Sequence, residues 1–526
     1  MRLFYIKFKE LRQFIFLLIF GIFLTTDFCF AQHTKEHVER SDRPNIIYIL
    51  ADDLGYGDIG PFGQKKIETP NIDALAKGGM IFTQHYAEPV CAPSRYGLMT
   101  GLNPGHSYIR GNDEWAERGD VWSFKAMEAN PALEGQLPIP DPTITVAKIL
   151  KSAGYKTALI GKWGLGGPFT AGIPNNQGFD YFFGFLCQRE DHNYYAGHLW
   201  ENKLRVPLNN KVVNPAIKFP KGLDPNDPEN YAVYAQNDYS PKFIIQAALK
   251  FIRKNKDHPF FLYFPSPLPH ASLQAPQKWV DHYLKKFGTD EKPYLGGNYV
   301  PVRYPHATRA AMVSLLDEHV GEIVKELKQS GIYKNTIIIF TGDNGTTYEG
   351  GTDGPWFDSG GPFKSAYGWG KGFLYEGGIR EPFVISWPDK IKPGTKSDLI
   401  SAEWDFLPTL CQIIGAKPPS GIQGISYLPA LLENPDDQKK HPYLYWEFPG
   451  YGGQQAVRMG KWKGIIFDEQ KGNTVMKLFD LDNDIQERHD VAAEHPEIVK
   501  EMKEIMKKEH TAPQVDAFKI KALEEK

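Results

Sequence analysis

The chain has little of several things, and each shortage excludes something. Only four cysteines occur in 526 residues: Cys29, Cys91, Cys187 and Cys411. That rules out a disulfide-built scaffold, and the spacings match no zinc-ligand pattern. No charge of one sign dominates, since 60 Lys and Arg stand against 63 Asp and Glu, a formal −3. Nucleic-acid binding favours a basic face that this balance does not offer, so no nucleic-acid partner is expected. There is no internal repeat. The one sustained apolar run, residues 14–24, is too short for a comfortable membrane span.

That run reads as part of a secretory signal. Arg2, Lys7, Lys9 and Arg12 give a basic start, and Cys29-Phe30-Ala31 before Gln32 fits a small-x-small cleavage site. A signal peptide over 1–31, a secreted or periplasmic location and no membrane span in the mature chain are the expectations. Cleavage would remove Cys29. Cys187 and Cys411 are then expected as buried free thiols, although they could pair.

What is present is a large core. At 526 residues the chain is long enough for more than one domain, and its 41% hydrophobic content is ordinary for a globular protein; the 13% aromatics fit either a large core or platforms for sugar rings, which composition does not separate. Short apolar runs at 45–51, 157–160, 260–264, 336–341 and 383–387 predict buried parallel strands. Helical spacing marks 143–153 and 307–328, the latter with Met312, Leu315, Leu316, Val320, Ile323 and Leu327 on one stripe. The alternation predicts an α/β fold with a large mixed, mostly parallel sheet flanked by helices. Residues 213–230 and 348–375 read as irregular. From about 436 the pattern changes to short strands at 443–448, 454–459, 463–467 and 477–481, closed by an amphipathic helix over 496–508. A catalytic domain over 43–435 and a smaller α+β subdomain with an antiparallel sheet over 436–526 are expected.

In open α/β sheets function gathers at the carboxyl ends of strands. The predicted strands run into Asp52-Asp53, Gly161-Lys162-Trp163, His270 and Gly342-Asp343-Asn344-Gly345. Any one of these could be a turn or cap. Asp52, Asp53, Asp343 and Asn344 together form an oxygen donor set that suits a hard cation, calcium above all. Neighbouring carboxylates ionise poorly without a cation between them.

One string is more specific. Cys91-Ala92-Pro93-Ser94-Arg95 runs on into Tyr96-Gly97-Leu98-Met99-Thr100-Gly101. A lone cysteine is usually a buried small residue or a weak thiol. With residues 45–57, 161–166, 341–345 and 371–382, in that order, the string resembles the type I sulfatase family, arylsulfatase-like members of the alkaline phosphatase superfamily. The likeness runs from about 43 to about 515.

The resemblance implies an alkaline-phosphatase-like fold and a sulfatase acting on sulfate monoesters of a carbohydrate. It implies that a formylglycine-generating maturation enzyme oxidises Cys91 to formylglycine (3-oxoalanine), whose hydrate attacks sulfur and then expels sulfate as the aldehyde re-forms. Asp52, Asp53, Asp343, Asn344 and the modified Cys91 would hold Ca2+. Arg95 would secure the hydrate, Lys162 and Lys371 would bind sulfate oxygens, and His270 would protonate the leaving alcohol. Gly164 stands where the family often has histidine. His106, His192 and His198 are candidates to replace it. The segment 188–195 is expected to line the substrate pocket, and a plain exposed loop is the competing reading. The likeness also points to galactose or N-acetylgalactosamine sulfate as substrate. A phosphonate monoester or phosphodiester hydrolase of the same superfamily, and a non-catalytic glycan-binding relative, are the alternatives.

Overall fold

The run 45–51 is apolar or buried at every position, and it forms β1 (Asn45–Ala51) in the middle of the main sheet. This computed structural model describes residues 43–524; the predicted signal segment and Cys29 lie outside the described residues. Chain order continues with β2 (Met80–Tyr86), β3 (Lys156–Lys162), β4 (Tyr181–Phe185), β5 (His198–Glu201), β6 (Leu204–Pro207), β7 (Phe260–Pro265) and β8 (Thr336–Gly342). Then come β9 (Arg380–Ser386), β10 (Thr395–Ser397) and β11 (Ser401–Ala402). These eleven strands form one sheet in the order β10-β2-β9-β8-β1-β7-β3-β4-β5-β6, with β11 also on β2. β8, β1, β7, β3 and β4 are mutually parallel.

Helices cover both faces, which is why the central strands can be apolar throughout. Ile47, Ile49 and Ala51 of β1 point to one face, against Met312, Leu316, Val320 and Leu327 of the helix Pro305–Gln329. Ile46, Tyr48 and Leu50 point to the other, against Val146 and Leu150 of Val146–Ser152 and Phe406, Leu407 and Leu410 of Phe406–Ile414. The alternation is the period-two geometry of a strand.

Two expectations need correction. The strand expected at 383–387 is β9, and it runs antiparallel to both β8 and β2. The chain between Gly342 and Arg380 stays at the carboxyl edge of the sheet, so it must re-enter in the opposite direction. A fully apolar strand carries no sign of direction. The helix expected over 143–153 starts later, at Val146, because the Thr145 hydroxyl accepts from the Lys148 amide at 3.1 Å and caps it. β2 and the short β5, β6, β10 and β11 had no sustained apolar run to predict them, and β4 was missed although residues 181–187 are apolar apart from Gly184.

A second sheet is antiparallel: β12 (Leu444–Phe448), β13 (Gln454–Met459), β14 (Trp462–Ile466) and β15 (Met476–Asp480), in chain order. Trp446, Ala456, Ile465 and Phe479 pack with Tyr86 and Trp404 on one face. Tyr445, Val457 and Leu478 pack with Met502 and Met506 of the closing helix Pro496–Glu509 on the other. The Trp446 indole donates to the Ala87 carbonyl at 2.9 Å, tying this sheet to the end of β2. Cys187 and Cys411 are buried and free. Among the described residues no helix is long and apolar enough to cross a membrane.

Candidate active site

Adjacent parallel strands end side by side, so the order β8-β1-β7-β3 aligns four chain-distant loops. β1 delivers Asp52 and Asp53, β3 ends on Lys162, β7 leads to His270, and β8 leads to Asp343 and Asn344. Cys91 opens the helix Cys91–Thr100, so it lies at the partially positive end of that helix. Lys371 arrives from the irregular stretch between β8 and β9 and closes the group.

All eight side chains meet. Cys91 Sγ lies 3.4 Å from Asp52 Oδ1 and 3.6 Å from Lys371 Nζ. Lys371 also sits 2.6 Å from Asp53 Oδ1 and 3.2 Å from His270 Nε2. Lys162 pairs with Asp52 at 2.6 Å and with Asp191 at 3.2 Å. Arg95 is fully buried at 0% exposure, far from the surface ion pair that its residue type alone suggests. It donates to Asp52 at 2.9 Å, to Asp343 at 2.8 Å and to the Lys162 carbonyl at 2.6 Å. The Asp53 amide donates to Asp343 Oδ1 at 3.1 Å, and the Asn344 amide to Asp53 Oδ1 at 2.8 Å.

Donor atoms of Asp52, Asp53, Cys91 and His270 lie within 4.8 Å of one another. Asp53 Oδ2 and Asn344 Oδ1 are buried without a hydrogen-bond partner. Asp53 holds a left-handed backbone, φ 60°, which costs a non-glycine residue energy and turns its carboxylate into the cluster. Orphaned oxygens and a largely oxygen donor set fit a hard divalent cation. Both oxygens of Asp343 are already engaged, by Arg95 and by the Asp53 amide.

The electrostatics point the same way. Burial opposes ionisation of Asp52, yet Lys162 above all, with His270, Arg95 and Lys371, holds its carboxyl below the usual range. Asp343 is pushed up to about 6 by burial and by Asp52. Asp191 is pushed up to about 7, by burial first and against the pull of Lys162. Negative charge here exceeds what the bases neutralise. Burial, then Asp343 and Asp52, pushes the Cys91 thiol well up, so it stays protonated and is a poor thiolate nucleophile. Burial and the two lysines keep His270 neutral.

A cleft of about 520 Å³ opens over Cys91, His270 and Lys371. Gln188, Arg189 and His192 line it, so the segment 188–195 does form a wall. Trp122, 64% exposed and with Arg189 over its ring at 5.5 Å, and Tyr451 from the β12–β13 turn stand at its mouth. Of the three histidines considered to replace the one missing at Gly164, only His192 is here, stacked on His270 at 5.0 Å. His106 pairs with Glu509 at 3.3 Å, and His198 with Glu134 at 3.2 Å. A Cβ on Gly164 would meet Gln188 Nε2 at 2.5 Å, so the Gln188 amide fills the space beside residue 164.

The chain matches the family described as Sulfatase over residues 44–416. It belongs to the sulfatase family. Residues 366–512 also match the C-terminal region of N-sulphoglucosamine sulphohydrolase, which accounts for the second sheet. It is similar to an N-acetylgalactosamine-6-O-sulfatase of Bacteroides thetaiotaomicron, 30% identical over 92% of this chain and 96% of that one. Arylsulfatase A of Homo sapiens is 30% identical over 81% of this chain and 75% of its own. The crystal structure of Ps i-CgsB superposes with a TM-score of 0.68 at 28% identity, covering 90% of this chain and 94% of that one. The protein is a sulfatase enzyme, and carbohydrate sulfatases are among its relatives.

Three residues of this sulfatase escaped the sequence reading. Asp191 braces Lys162. Arg309 binds the Asp53 carbonyl at 2.8 Å and Asp58 at 3.0 Å, and also reaches the Pro269 carbonyl, so it locks the two loops carrying Asp53 and His270. Glu381 is buried, with both oxygens unpartnered. Glu381 lies within the 371–382 motif and Asp191 within the polar segment 188–195, but neither was singled out, and no motif marks Arg309.

Proposed function

We propose that this sulfatase removes sulfate from a carbohydrate outside the cytoplasm, with Cys91 matured to formylglycine and Ca2+ held by Asp52, Asp53, Asp343, Asn344 and residue 91. The observation that carries the reading is the setting of Cys91. It lies buried at the floor of the cleft, at a helix N-terminus, between Asp52 and Lys371, where burial keeps a thiol unreactive.

The matured side chain supplies a nucleophilic hydroxyl and a way to release sulfate by re-forming the aldehyde. The cation supplies positive charge toward the sulfate oxygens. Lys162 and Lys371 reach the same point and lower the repulsion felt by an anionic ester. Arg95 holds the carboxylates in place. His270 Nδ1 is held by the Ala271 carbonyl and its Nε2 faces Lys371 Nζ at 3.2 Å in the cleft, so His270 protonates a leaving alcohol once Nε2 has taken a proton, with Lys371 the donor beside it.

The substrate class rests on the cleft mouth and on the relatives. Exposed Trp122 and Tyr451 offer ring faces of the kind that pack on sugars. The Bacteroides relative is an N-acetylgalactosamine-6-O-sulfatase, and Ps i-CgsB has been crystallised with k-i-k-neocarrahexaose. Galactose or N-acetylgalactosamine sulfate is therefore the first substrate to try. The predicted signal segment supports export.

The test joins mass and turnover. Peptides containing residue 91 from active protein are expected about 18 Da lighter than the cysteine form, from loss of the thiol and gain of a carbonyl. Sulfate release from sulfated N-acetylgalactosamine or galactose is expected to vanish in Cys91→Ala. Active protein with unmodified cysteine would overturn the mechanism. Faster turnover of an aryl phosphodiester than of any sulfate would assign the substrate class elsewhere in the superfamily.

A further inference from the structure

A second group of donors lies behind the cleft wall, away from Cys91. Glu128 comes from the helix Phe124–Ala129, Glu190 from the turn Glu190–His192, and His198 from β5. One donor atom from each lies within 4.8 Å of the others.

The imidazole is oriented by its second nitrogen. His198 Nε2 lies 3.2 Å from Glu134 Oε1. Glu134 in turn accepts from the Trp200 indole at 2.6 Å and from Arg205 at 2.8 Å. A carboxylate so placed accepts a hydrogen bond from Nε2–H, and in the neutral ring that leaves the lone pair on Nδ1. That is the outer support which metal-bound histidines commonly show. His198 Nδ1 then faces Glu190 Oε1 at 3.7 Å and Glu128 Oε2 at 4.0 Å. A lone pair and two carboxylates converge, with no hydrogen bond between His198 Nδ1 and either acid.

The burial makes this costly. Glu190 is 2% exposed and His198 4%. Glu190 Oε2 and Glu128 Oε1 are both buried without a partner. Among the described residues, Arg205 on Glu134 is the one Lys or Arg that pairs with these three carboxylates. With no ion between them, burial and then the neighbouring Glu128 hold the Glu190 carboxyl well above its ordinary range, so one of the two acids keeps a proton that a bound cation would displace.

We propose that Glu128, Glu190 and His198 bind a divalent transition ion, Zn2+ or Mn2+, distinct from the cation beside Cys91. One imidazole nitrogen and two carboxylates make a set for such an ion, and its charge balances the two acids. The oxygen set around Asp53 favours a harder ion instead. The ion ties the turn carrying Glu190 to two other elements. Asp191 and His192, which follow directly, brace Lys162 and line the cleft. Its role is to stiffen the wall of the active site.

The test is a metal count on the full chain. Protein is stripped with chelator, reloaded with CaCl2 plus ZnCl2 or MnCl2, desalted and measured by elemental mass spectrometry. One transition ion per chain is expected in the wild type and in Cys91→Ala, which removes the soft donor from the other cluster. Glu190→Gln and His198→Asn are expected to lose it, together with a melting-temperature rise of about a few degrees that the ion gives the wild type. A wild type that retains no stoichiometric ion overturns the proposal. So do variants that retain as much as the wild type. If the variants do not fold, calorimetric titration of the stripped wild type decides, and absence of a saturable site overturns it. None of these measurements uses turnover, so they stand apart from the sulfatase reading.

Discussion

Replacing Arg95 by methionine keeps most of the side-chain volume and removes the charge that joins Asp52 to Asp343. The guanidinium makes ion pairs of 2.9 and 2.8 Å to the two carboxylates and a 2.6 Å bond to a carbonyl, all fully buried. Removing one partner of a buried ion pair typically costs about 3–5 kcal/mol, because the other charge is left behind. Asp52 keeps Lys162 at 2.6 Å, so Asp343 bears most of the loss. Asp343 already titrates near 6, raised by burial and Asp52 against the pull of Arg95. Without Arg95 it rises further. The folded variant then holds a proton that the unfolded chain has released, so its stability falls as pH rises toward the raised value. The loss is expected at about 4 kcal/mol at pH 8 and clearly less at pH 5.5. Denaturant unfolding followed by tryptophan fluorescence at the two pH values measures it. The double variant Arg95→Met, Asp343→Asn is expected to recover more than half of the loss at pH 8. A single variant within about 1 kcal/mol of wild type at pH 8, where exposed pairs fall, would refute the reasoning. So would a loss that does not depend on pH.

Three other outcomes are expected. Glu469 is pushed up to about 8 by burial and then by Glu447, from an ordinary 4.5. It stabilises the fold while protonated and loses that contribution as pH rises through this window, by at most about 5 kcal/mol, so Glu469→Gln should flatten stability between pH 5 and 8. Gly164→Ala places a Cβ 2.5 Å from Gln188 Nε2 at φ 79°. It is expected to cost about 1–2 kcal/mol in melting experiments and to raise KM by displacing Gln188 from the cleft wall. Trp122→Ala is expected to raise KM about tenfold on a sulfated oligosaccharide while leaving turnover of a small aryl sulfate unchanged; equal effects on both would deny Trp122 a role in sugar binding.

Much of this protein can be read before folding. The fully apolar stretches became β1, β7 and β8, because a strand covered on both faces needs apolar side chains throughout. Periodicity placed the helix Pro305–Gln329 and the closing helix Pro496–Glu509. The acids and bases after strands were legible because parallel strands present their ends on one edge. The Cys91 string carried its chemistry in its spelling. These are local properties, set by residue type and spacing within about a dozen positions.

Other features exist only where distant segments touch. The direction of β9 follows from where the chain re-enters the sheet, which no apolar run encodes. His106, His192 and His198 look equivalent in sequence, yet only His192 reaches the cleft, while His198 turns toward Glu128, Glu134 and Glu190. Asp191 acquires a role only because β3 and β4 are neighbours, which sets Lys162 beside the loop after β4. Arg95 is a surface-type residue whose burial depends on two carboxylates 43 and 248 positions away. Sequence could name the donors and order them by strand. Pairing, burial and charge balance are sums over contacts between segments far apart in the chain, and only the tertiary structure carries them out.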